Sequence, residues 1–455
     1  MLYAVRRMNG LSGWIRWGLC CALGGVPVAA ASLPARVAAP ASAAALLPTA
    51  VAVLPQDEVA ERLRQSAQAA GVTDYRQSPR ADGGFNVTGQ LAGNAFALRV
   101  PPRWTGQSVL YAHGYVVPDL PEPRPDPAGP GDLGLLGVAY AQGFLAADSA
   151  YAKTGYAVDE GVQALSALRA LLVAAGSARP YVAGASMGGT VVVALIEQFP
   201  DAFAGALSVC GATPGWRAEW GFVLDVRLVY DYFTRGTPYA LPGQGHAAVV
   251  DPALTPERVT DTVSRLFAAA RRGDVAAGRI VAQVARVAGV QPDPVSVWTP
   301  LLLVQAGLGD ALKTMNGVGI RTVDRVYRGS DDDRALNAGI ERLDPGPASG
   351  TYLDRHSTAT GQFRTPLLTL HNLADPLVPT ALAAQFAGVV ARAGNTPQLA
   401  QQFVDRVTGP DGGPQHCAFT RPQLLAAWTD LRRWAEQGVR PPEGLQRAPE
   451  PLAPQ

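Results

Sequence analysis

A pentapeptide near the middle of the chain has the residue types and spacing of a nucleophile turn. Residues 184–188 read Gly-Ala-Ser-Met-Gly, between the apolar runs 180–183 and 189–198. Glycines two positions on either side of a serine let a strand and a helix cross closely, so that the hydroxyl projects beside free backbone N–H groups. Such groups can stabilise a developing oxyanion. The spacing predicts Ser186 as a nucleophile in a strand–turn–helix unit. An ordinary βα turn without chemistry is the alternative.

A serine of ordinary pKa is a weak nucleophile, so it requires a histidine base and a carboxylate that orients the histidine. The histidines of the chain are His113, His246, His356, His371 and His416. His416 lies in a Gly/Pro-rich loop between a strand-like and a helical segment, on the C-terminal side of the serine. We therefore predict His416 as the base, with a solvated loop histidine as the alternative. His371 ends an apolar strand and is predicted to be structural.

Two further segments are similar to motifs of α/β hydrolases. The turn 372–379 follows the apolar strand 366–371 and resembles the G-x-x-D-x-x-V-P turn that carries the acid in many of these enzymes. Asn372 replaces the first glycine of that pattern, and asparagine tolerates left-handed backbone. The strand 108–112 ends in a His-Gly pair, which resembles the loop that contributes the first oxyanion N–H in the same enzymes.

Because these motifs follow one another in the expected order, the chain resembles a secreted α/β-hydrolase-fold serine esterase or lipase over about residues 85–437. The resemblance implies that Asp375 is the acid. It also implies that the backbone N–H groups of Tyr115 and Met187 form the oxyanion hole, and that His113 shapes the oxyanion loop.

The mechanism that the resemblance implies is acyl transfer through a covalent serine intermediate. Ser186 attacks a carbonyl, His416 accepts its proton and Asp375 fixes the imidazole tautomer, with no metal and no organic cofactor. Asp405 and Asp411 lie nearer to the histidine in sequence and stay open as alternative acids.

Alternating strand-like and helix-like segments predict an α/β protein. The expected fold class is the α/β-hydrolase fold, a mostly parallel central sheet flanked by helices. We expect the hairpin formed by 85–91 and 95–100 to open the sheet. The predicted organisation is a signal peptide at 1–31, an Ala/Pro-rich linker at 32–55, a hydrolase core at 56–212 and 363–437, a helical cap at 213–362 and a Pro-rich tail at 438–455.

The predicted cap is a long insertion between the strand after the nucleophile helix and the acid-bearing strand. It is far too long for an ordinary loop and is dominated by helical patterns. Helices are predicted at 224–233, 256–272, 276–288, 295–312 and 332–343. Its aromatic residues either line a substrate pocket or form the core of the cap itself. The aromatic residues considered for these roles are Trp216, Trp220, Phe222, Tyr230 and Tyr232.

The N-terminus has the features of an export signal. Basic residues at 6, 7 and 16 precede the apolar stretch 17–28, and 29–32 contains an Ala-x-Ala cleavage pattern. Glycines and a proline interrupt the short stretch, which argues against a permanent span. We therefore predict Sec-type export to the periplasm, cell envelope or medium, with no stable membrane span in the mature protein. Lipid attachment at Cys20 is the alternative.

Cys210 and Cys417 are the cysteines that remain once the signal is removed. In an α/β-hydrolase fold both lie at the C-terminal edge of the sheet, and export makes an oxidised pair chemically reasonable. We therefore predict a Cys210–Cys417 disulfide. Tannase-like esterases also fix their histidine with a neighbouring disulfide, but their partner cysteine precedes the nucleophile, where this chain has Ala185.

The composition narrows the functional classes. A net charge of +1 gives no reason to expect nucleic acid as a partner. We predict hydrolysis of a carboxylic ester, either a small molecule or a polymer-derived ester, and make no prediction of oligomeric state. One alternative is a serine peptidase of the prolyl-oligopeptidase or aminopeptidase type, in which the acidic run 331–333 could bind a free amine. The other is a non-catalytic binding protein on the same fold.

Overall fold

The computed structural model describes residues 54–118, 120–122, 125, 133–405 and 413–446. The predicted signal peptide, nearly all of the predicted linker, Asp411 and residues 447–455 lie outside the described residues. The strands are β1 (Thr73–Pro79), β2 (Phe85–Leu91), β3 (Asn94–Val100), β4 (Ser108–Ala112), β5 (Leu145–Ser149), β6 (Tyr181–Ala185), β7 (Ala206–Val209), β8 (Leu367–Asn372), β9 (Leu399–Val404) and β10 (Gly444–Leu445).

Helices connect the strands and cover the sheet. They are α1 (Gln56–Ala69), α2 (Leu135–Ala141), α3 (Val158–Ala174), α4 (Met187–Gln198), α5 (Trp216–Thr234), α6 (Pro256–Arg271), α7 (Val275–Ala288), α8 (Pro294–Met315), α9 (Asp333–Gly339), α10 (Pro347–His356), α11 (Thr380–Arg392) and α12 (Arg421–Gln437).

The ten described strands form one sheet in the order β1-β2-β3-β5-β4-β6-β7-β8-β9-β10. The pairs from β1 to β3 and the β3–β5 pair are antiparallel, and all later pairs are parallel. Parallel neighbours require crossover connections, which the helices supply. The predicted fold class, a mostly parallel sheet flanked by helices with α/β-hydrolase topology, is confirmed.

Successive residues of the central strands face opposite sides of the sheet, as the pleat requires. Leu110 and Val182 pack in the layer that contains α3 and α4, whereas Val109 and Ala183 pack in the layer that contains α2 and α12. Both faces of the sheet are therefore buried. The candidate site residues Ser186 and Asp375 follow the carboxyl ends of β6 and β8.

The sheet begins one strand earlier than the sequence predicts. The hairpin of β2 and β3 is present, with residues 92 and 93 both at positive φ in the turn, but β1 pairs with its outer edge. Most residues of β1 are exposed and polar, so the strand lacks the alternation that would reveal it. The short strand β10 likewise lies within the predicted tail and pairs with β9.

The segment between β7 and β8 forms helices α5 to α10. Its two ends meet at an isolated bridge between Gly215 and Thr358. Five helices occur near the predicted positions; α9 is shorter than expected, and α10 was not predicted. The segment has a separate apolar cluster that includes Val226, Tyr230 and Leu266. We refer to residues 213–362 as the insertion.

Helix α8 is the described helix that is long and apolar enough to cross a membrane by length and composition. In the structure, 44% of its most apolar window is buried inside the protein. Val297, Leu301 and Val304 are among its buried residues. Val297 and Leu301 pack in the separate cluster of the insertion, whereas Val304 packs in the main core cluster.

Candidate active site

Ser186 lies in the turn between β6 and α4 with φ 57° and ψ −126°. A residue with a side chain adopts such backbone only where its surroundings impose it. The Ser186 N–H donates to the Val209 carbonyl at 3.1 Å, and the Gly189 N–H donates to the Ser186 carbonyl at 2.8 Å. These two bonds hold both sides of the turn, and the strained backbone expected of the pentapeptide is present.

The glycines around Ser186 are required by close backbone approach. A Cβ atom on Gly188 would collide with the carbonyl oxygen of Ala112 and lie 2.8 Å from that of His113. A Cβ on Gly184 would collide with the backbone of Gly188. The first turn of α4 therefore packs directly against the end of β4, which brings Met187 close to the loop that follows His113.

The structure brings Ser186, His416 and Asp375 together in one buried line. His416 Nε2 is 2.9 Å from Ser186 Oγ, and His416 Nδ1 is 2.8 Å from Asp375 Oδ2. Each of the three side chains is less than a tenth exposed. The imidazole can therefore accept a proton from the serine while its other nitrogen donates to the carboxylate.

The acid loop after β8 is held by several hydrogen bonds. Asp375 Oδ1 accepts from the N–H groups of Leu377 at 2.9 Å and Val378 at 2.8 Å. These two bonds fix the orientation of the carboxylate relative to its own loop. Asp405, which stayed open as an alternative acid, is described at the end of β9, but the contact with His416 is made by Asp375.

Asn372 has a structural role that the resemblance to the G-x-x-D-x-x-V-P turn did not indicate. It is not among the residues with positive φ, so left-handed backbone is not the reason for asparagine here, and that explanation was wrong. Its amide donates to the Gln415 carbonyl at 2.9 Å, and its Oδ1 accepts from the Ala374 N–H at 3.0 Å. Asn372 therefore ties the acid loop to the loop that carries His416.

His371 is buried near the end of β8 and contacts the acid loop. Its Nε2–H donates to the Val378 carbonyl at 2.6 Å. Burial lowers the pKa of His371, although the nearby Asp375 carboxylate partly opposes this shift. A neutral imidazole that braces the acid loop agrees with the predicted structural role.

In the loop predicted to carry the oxyanion donor, Tyr115 is buried, and its neighbours His113, Gly114 and Val116 are half-buried. Among the described residues, the N–H groups of Tyr115 and Met187 have no hydrogen-bond acceptor. Buried N–H groups without partners are rare, and they suit a site that binds a developing negative charge. His113 supports this loop: its ring stacks on Tyr151 at 3.7 Å, and its Nε2 is 2.8 Å from Glu122 Oε1.

Cys210 and Cys417 are joined by a disulfide, as predicted. Both residues have positive φ, at 48° and 58°. The Cys417 sulfur is 3.2 Å from His416 Nε2. Cys210, His416 and Cys417 have ligand atoms within 4.8 Å of one another, but the bonded sulfurs lack the thiolate character that a metal would require.

The aromatic residues of the insertion divide between the two expected roles. Trp216 lies at the start of α5 and stacks on Tyr115 with ring centroids 5.7 Å apart. Trp220 is buried nearby, and its indole N–H donates to the Val318 carbonyl at 2.8 Å. Tyr230 belongs to the separate core of the insertion. Phe222 and Tyr232 are partly buried against apolar clusters.

Glu219 is a buried acid that sequence reasoning missed. It is 1% exposed, and neither of its carboxyl oxygens has a hydrogen-bond partner among the described residues. Burial raises the pKa of Glu219 well above its usual value, and the negative charge of Asp375 raises it further. Its position in the first turn of a helix has the signature of an ordinary surface acid, so nothing local reveals it.

The acidic run 331–333 is occupied by structural contacts. Asp331 pairs with Arg279 at 2.9 Å and with Arg286 at 2.8 Å. Asp332 accepts from the Ala335 N–H and caps α9, and Asp333 accepts from Ser330.

A cavity of about 680 Å³ lies elsewhere in the described structure. Its lining includes Glu197 and Arg364 but neither Ser186 nor His416.

No protein-family model matches the sequence, and no curated protein matches it. Solved structures show distant likeness. Feruloyl esterase B from Aspergillus oryzae is 13% identical, with a TM-score of 0.49, over 83% of this chain and 91% of that chain. Lipase A from Candida antarctica is 15% identical, with a TM-score of 0.42, over 86% and 88%. Tannin acyl hydrolase from Aspergillus niger is 13% identical, with a TM-score of 0.38, over 81% and 82%. The strand order and crossovers described above make this chain an α/β-hydrolase-fold protein.

Proposed function

We propose that the protein is a serine hydrolase that cleaves carboxylic esters through an acyl-enzyme. The observation that carries the proposal is the buried hydrogen-bond line from Ser186 through His416 to Asp375, with both His416 contacts below 3.0 Å. The strained turn at Ser186 adds support, because backbone of this kind persists where the surrounding structure maintains it for function.

In the proposed reaction, Ser186 Oγ attacks the ester carbonyl while His416 Nε2 accepts the hydroxyl proton. Asp375 holds the imidazole in the tautomer that presents a free Nε2 and stabilises the imidazolium that forms. The N–H groups of Tyr115 and Met187 bind the oxyanion. His416 then gives its proton to the leaving alkoxide, and water deacylates the serine by the same steps.

The substrate proposed is a carboxylic ester, either a small molecule or a unit of a polymer, and the protein is proposed to act after export. The Cys210–Cys417 disulfide supports export, because disulfides persist in oxidising compartments. Residues 56–212 and 363–437 are proposed as the hydrolase core, and the insertion as a cap. The stacking of Trp216 on Tyr115 supports a cap that borders the acyl site.

The peptidase alternative lacks a specific observation in its favour. The acidic run 331–333, which could have bound a substrate amine, is engaged by arginines and by the N-terminus of α9. The non-catalytic alternative requires a site that has lost a member, and the hydrogen-bond line from serine to carboxylate is continuous.

Two measurements on the purified mature protein test the proposal. A fluorophosphonate probe should label the wild type and leave the Ser186→Ala variant unlabelled. Nitrophenyl acyl esters should be hydrolysed faster than aminoacyl nitroanilides. Failure of the wild type to label would contradict the serine mechanism, and a preference for the anilides would replace the esterase with the peptidase.

A further inference from the structure

Helix α8 of the insertion touches the core at three positions on one face. Gly307, Asp310 and Thr314 are spaced by three and four residues, so they align along a single side of the helix. This face lies against the segment 153–156, between β5 and α3, and against the ring of Tyr115. The contacts link a distant insertion to the loop proposed to bind the oxyanion.

The first link is the carboxylate of Asp310. Its Oδ2 accepts from the Tyr156 N–H at 2.7 Å, and its Oδ1 accepts from the Thr314 hydroxyl at 3.2 Å. Lys153 Nζ donates to the same hydroxyl at 2.8 Å and lies 3.9 Å from Asp310 Oδ1. A Cβ on Gly155 would collide with the carboxylate, so glycine alone permits this approach. Asp310 therefore fixes the segment 153–156.

The second link passes from that segment to the oxyanion loop. The Gly155 N–H donates to the Val116 carbonyl at 2.8 Å and forms an isolated antiparallel bridge. Val116 directly follows Tyr115, so this bridge to segment 153–156 constrains the Tyr115 backbone. Asp310 binds the N–H of Tyr156, which is the residue next to Gly155 of the bridge.

The third link is the side chain of Tyr115 itself. Its hydroxyl is buried without a hydrogen-bond partner among the described residues, so packing alone holds the ring. Trp216 stacks on one side, and a Cβ on Gly307 would lie 3.0 Å from the hydroxyl. The insertion thus holds Tyr115 by its ring and, through Asp310, by its backbone.

We propose that Asp310 is a positioning residue that aligns the Tyr115 N–H for the oxyanion, so that this site is assembled only while α8 is docked on the core. The inference rests on the ester-hydrolase function proposed above. Asp310 contacts no reacting atom in this account. The Tyr115 N–H stabilises the oxyanion of the transition state more than it stabilises the bound substrate. Loss of its alignment should therefore lower kcat more than it changes KM.

The test compares three variants on a soluble nitrophenyl ester. Asp310→Ala should lower kcat by about 10- to 100-fold and change KM by less than about twofold. Displacement of an oxyanion donor by about 1 Å lowers the rate by a factor of this size. Asp310→Asn retains an acceptor for the Tyr156 N–H and should keep most of kcat. Asp331→Ala, the matched control, removes an insertion aspartate whose arginine pairs lie elsewhere, and it should match the wild type.

Affinity for phenylboronic acid, which forms a tetrahedral adduct with an active serine, gives the second readout. The inhibition constant should weaken in Asp310→Ala by about the same factor as kcat, as expected for a lost transition-state interaction. Unchanged kcat and boronate affinity in a folded Asp310→Ala protein, or a raised KM with unchanged kcat, would overturn the proposal.

If Asp310→Ala does not fold, Gly307→Ala decides the question, because its added methyl group presses on the Tyr115 ring. Reduced kcat and boronate affinity in Gly307→Ala support the proposal, and wild-type values for both overturn it. Fluorophosphonate labelling of the wild type tests the serine-hydrolase function separately from the positioning role of Asp310. A wild type that labels and turns over, beside an Asp310→Ala variant without a defect, rejects only the positioning role.

Discussion

At the scale of single residues, the site depends on which groups face His416. Asp375 meets its Nδ1 and is itself held by two backbone N–H groups of the same loop. An asparagine at 375 would present either a donor or an acceptor to Nδ1 and could stabilise the wrong tautomer.

Asp375→Asn should therefore lower kcat by about 10⁴-fold, while Asp405→Asn should stay near the wild type. Steady-state kinetics on one nitrophenyl ester measure both variants, with circular dichroism to verify folding. A large defect in Asp405→Asn with an active Asp375→Asn would mean that the acid is assigned to the wrong residue.

Asn372 gives a second prediction at this scale. Asn372→Gly restores the glycine of the family pattern but removes the bonds to Gln415 and Ala374. We expect a loss of about 1 kcal/mol in unfolding free energy, because the two partners left behind belong to half-buried residues, together with a lower kcat. Asn372→Asp keeps the acceptor but places a buried carboxylate oxygen against the Gln415 carbonyl oxygen, so it should be at least as damaging as Asn372→Gly. A glycine variant as stable and active as the wild type would show that the tie is unimportant.

At the scale of elements, the disulfide joins the end of β7 to the loop between β9 and α12. The bond connects residues separated by 207 positions and encloses the insertion and the acid loop. The Cys210 N–H also donates to the Leu370 carbonyl at 2.8 Å, which ties the same point to β8. The disulfide therefore holds the His416 loop in register with two neighbouring strand ends.

Reduction should lower both stability and activity. Loop-closure entropy sets an upper figure of about 5 kcal/mol on the lost stability. At a temperature where the reduced protein stays folded, activity should still fall, because the His416 loop loses its attachment. Ester hydrolysis before and after mild reduction, with circular dichroism as control, measures the effect. Two free thiols in the unfolded, unreduced protein would contradict the bond itself.

At the scale of the whole molecule, the free energy of unfolding should depend on pH through Glu219. Its folded pKa is raised by burial, so the folded state keeps a proton that the unfolded state releases above about pH 4.5. Stability therefore falls as pH rises from about 4.5 towards the folded pKa, by up to about 1.4 kcal/mol per pH unit.

Glu219→Gln removes this titration while keeping the shape of the side chain. The variant should gain stability relative to the wild type as pH rises, with a larger difference at pH 8 than at pH 5. Urea unfolding at both pH values measures the two free energies, and Asp331→Gln serves as an exposed acid control. A difference that does not change with pH would mean that Glu219 is not held protonated in the fold.

Much of the fold was predictable from the sequence, since the central strands and most helices have the apolar periodicity of buried elements. The turn at Ser186 was also predictable, because its strained backbone and close glycines are properties of five consecutive residues. His416 could be proposed because the chain has few histidines and this one occupies a loop of the expected kind. Strand β1 was missed because an exposed polar edge strand has no such pattern.

Only the tertiary structure decided which side chains meet. Ser186 and His416 are 230 residues apart in the sequence. Asp310, whose carboxylate accepts a hydrogen bond from the Tyr156 N–H, is 154 residues from Tyr156. Neither contact has a local signature, because hydrogen bonding depends on distance in space and not along the chain. Glu219 is similar: its sequence position indicates a surface acid, and burial together with the nearby charge of Asp375 raises its pKa.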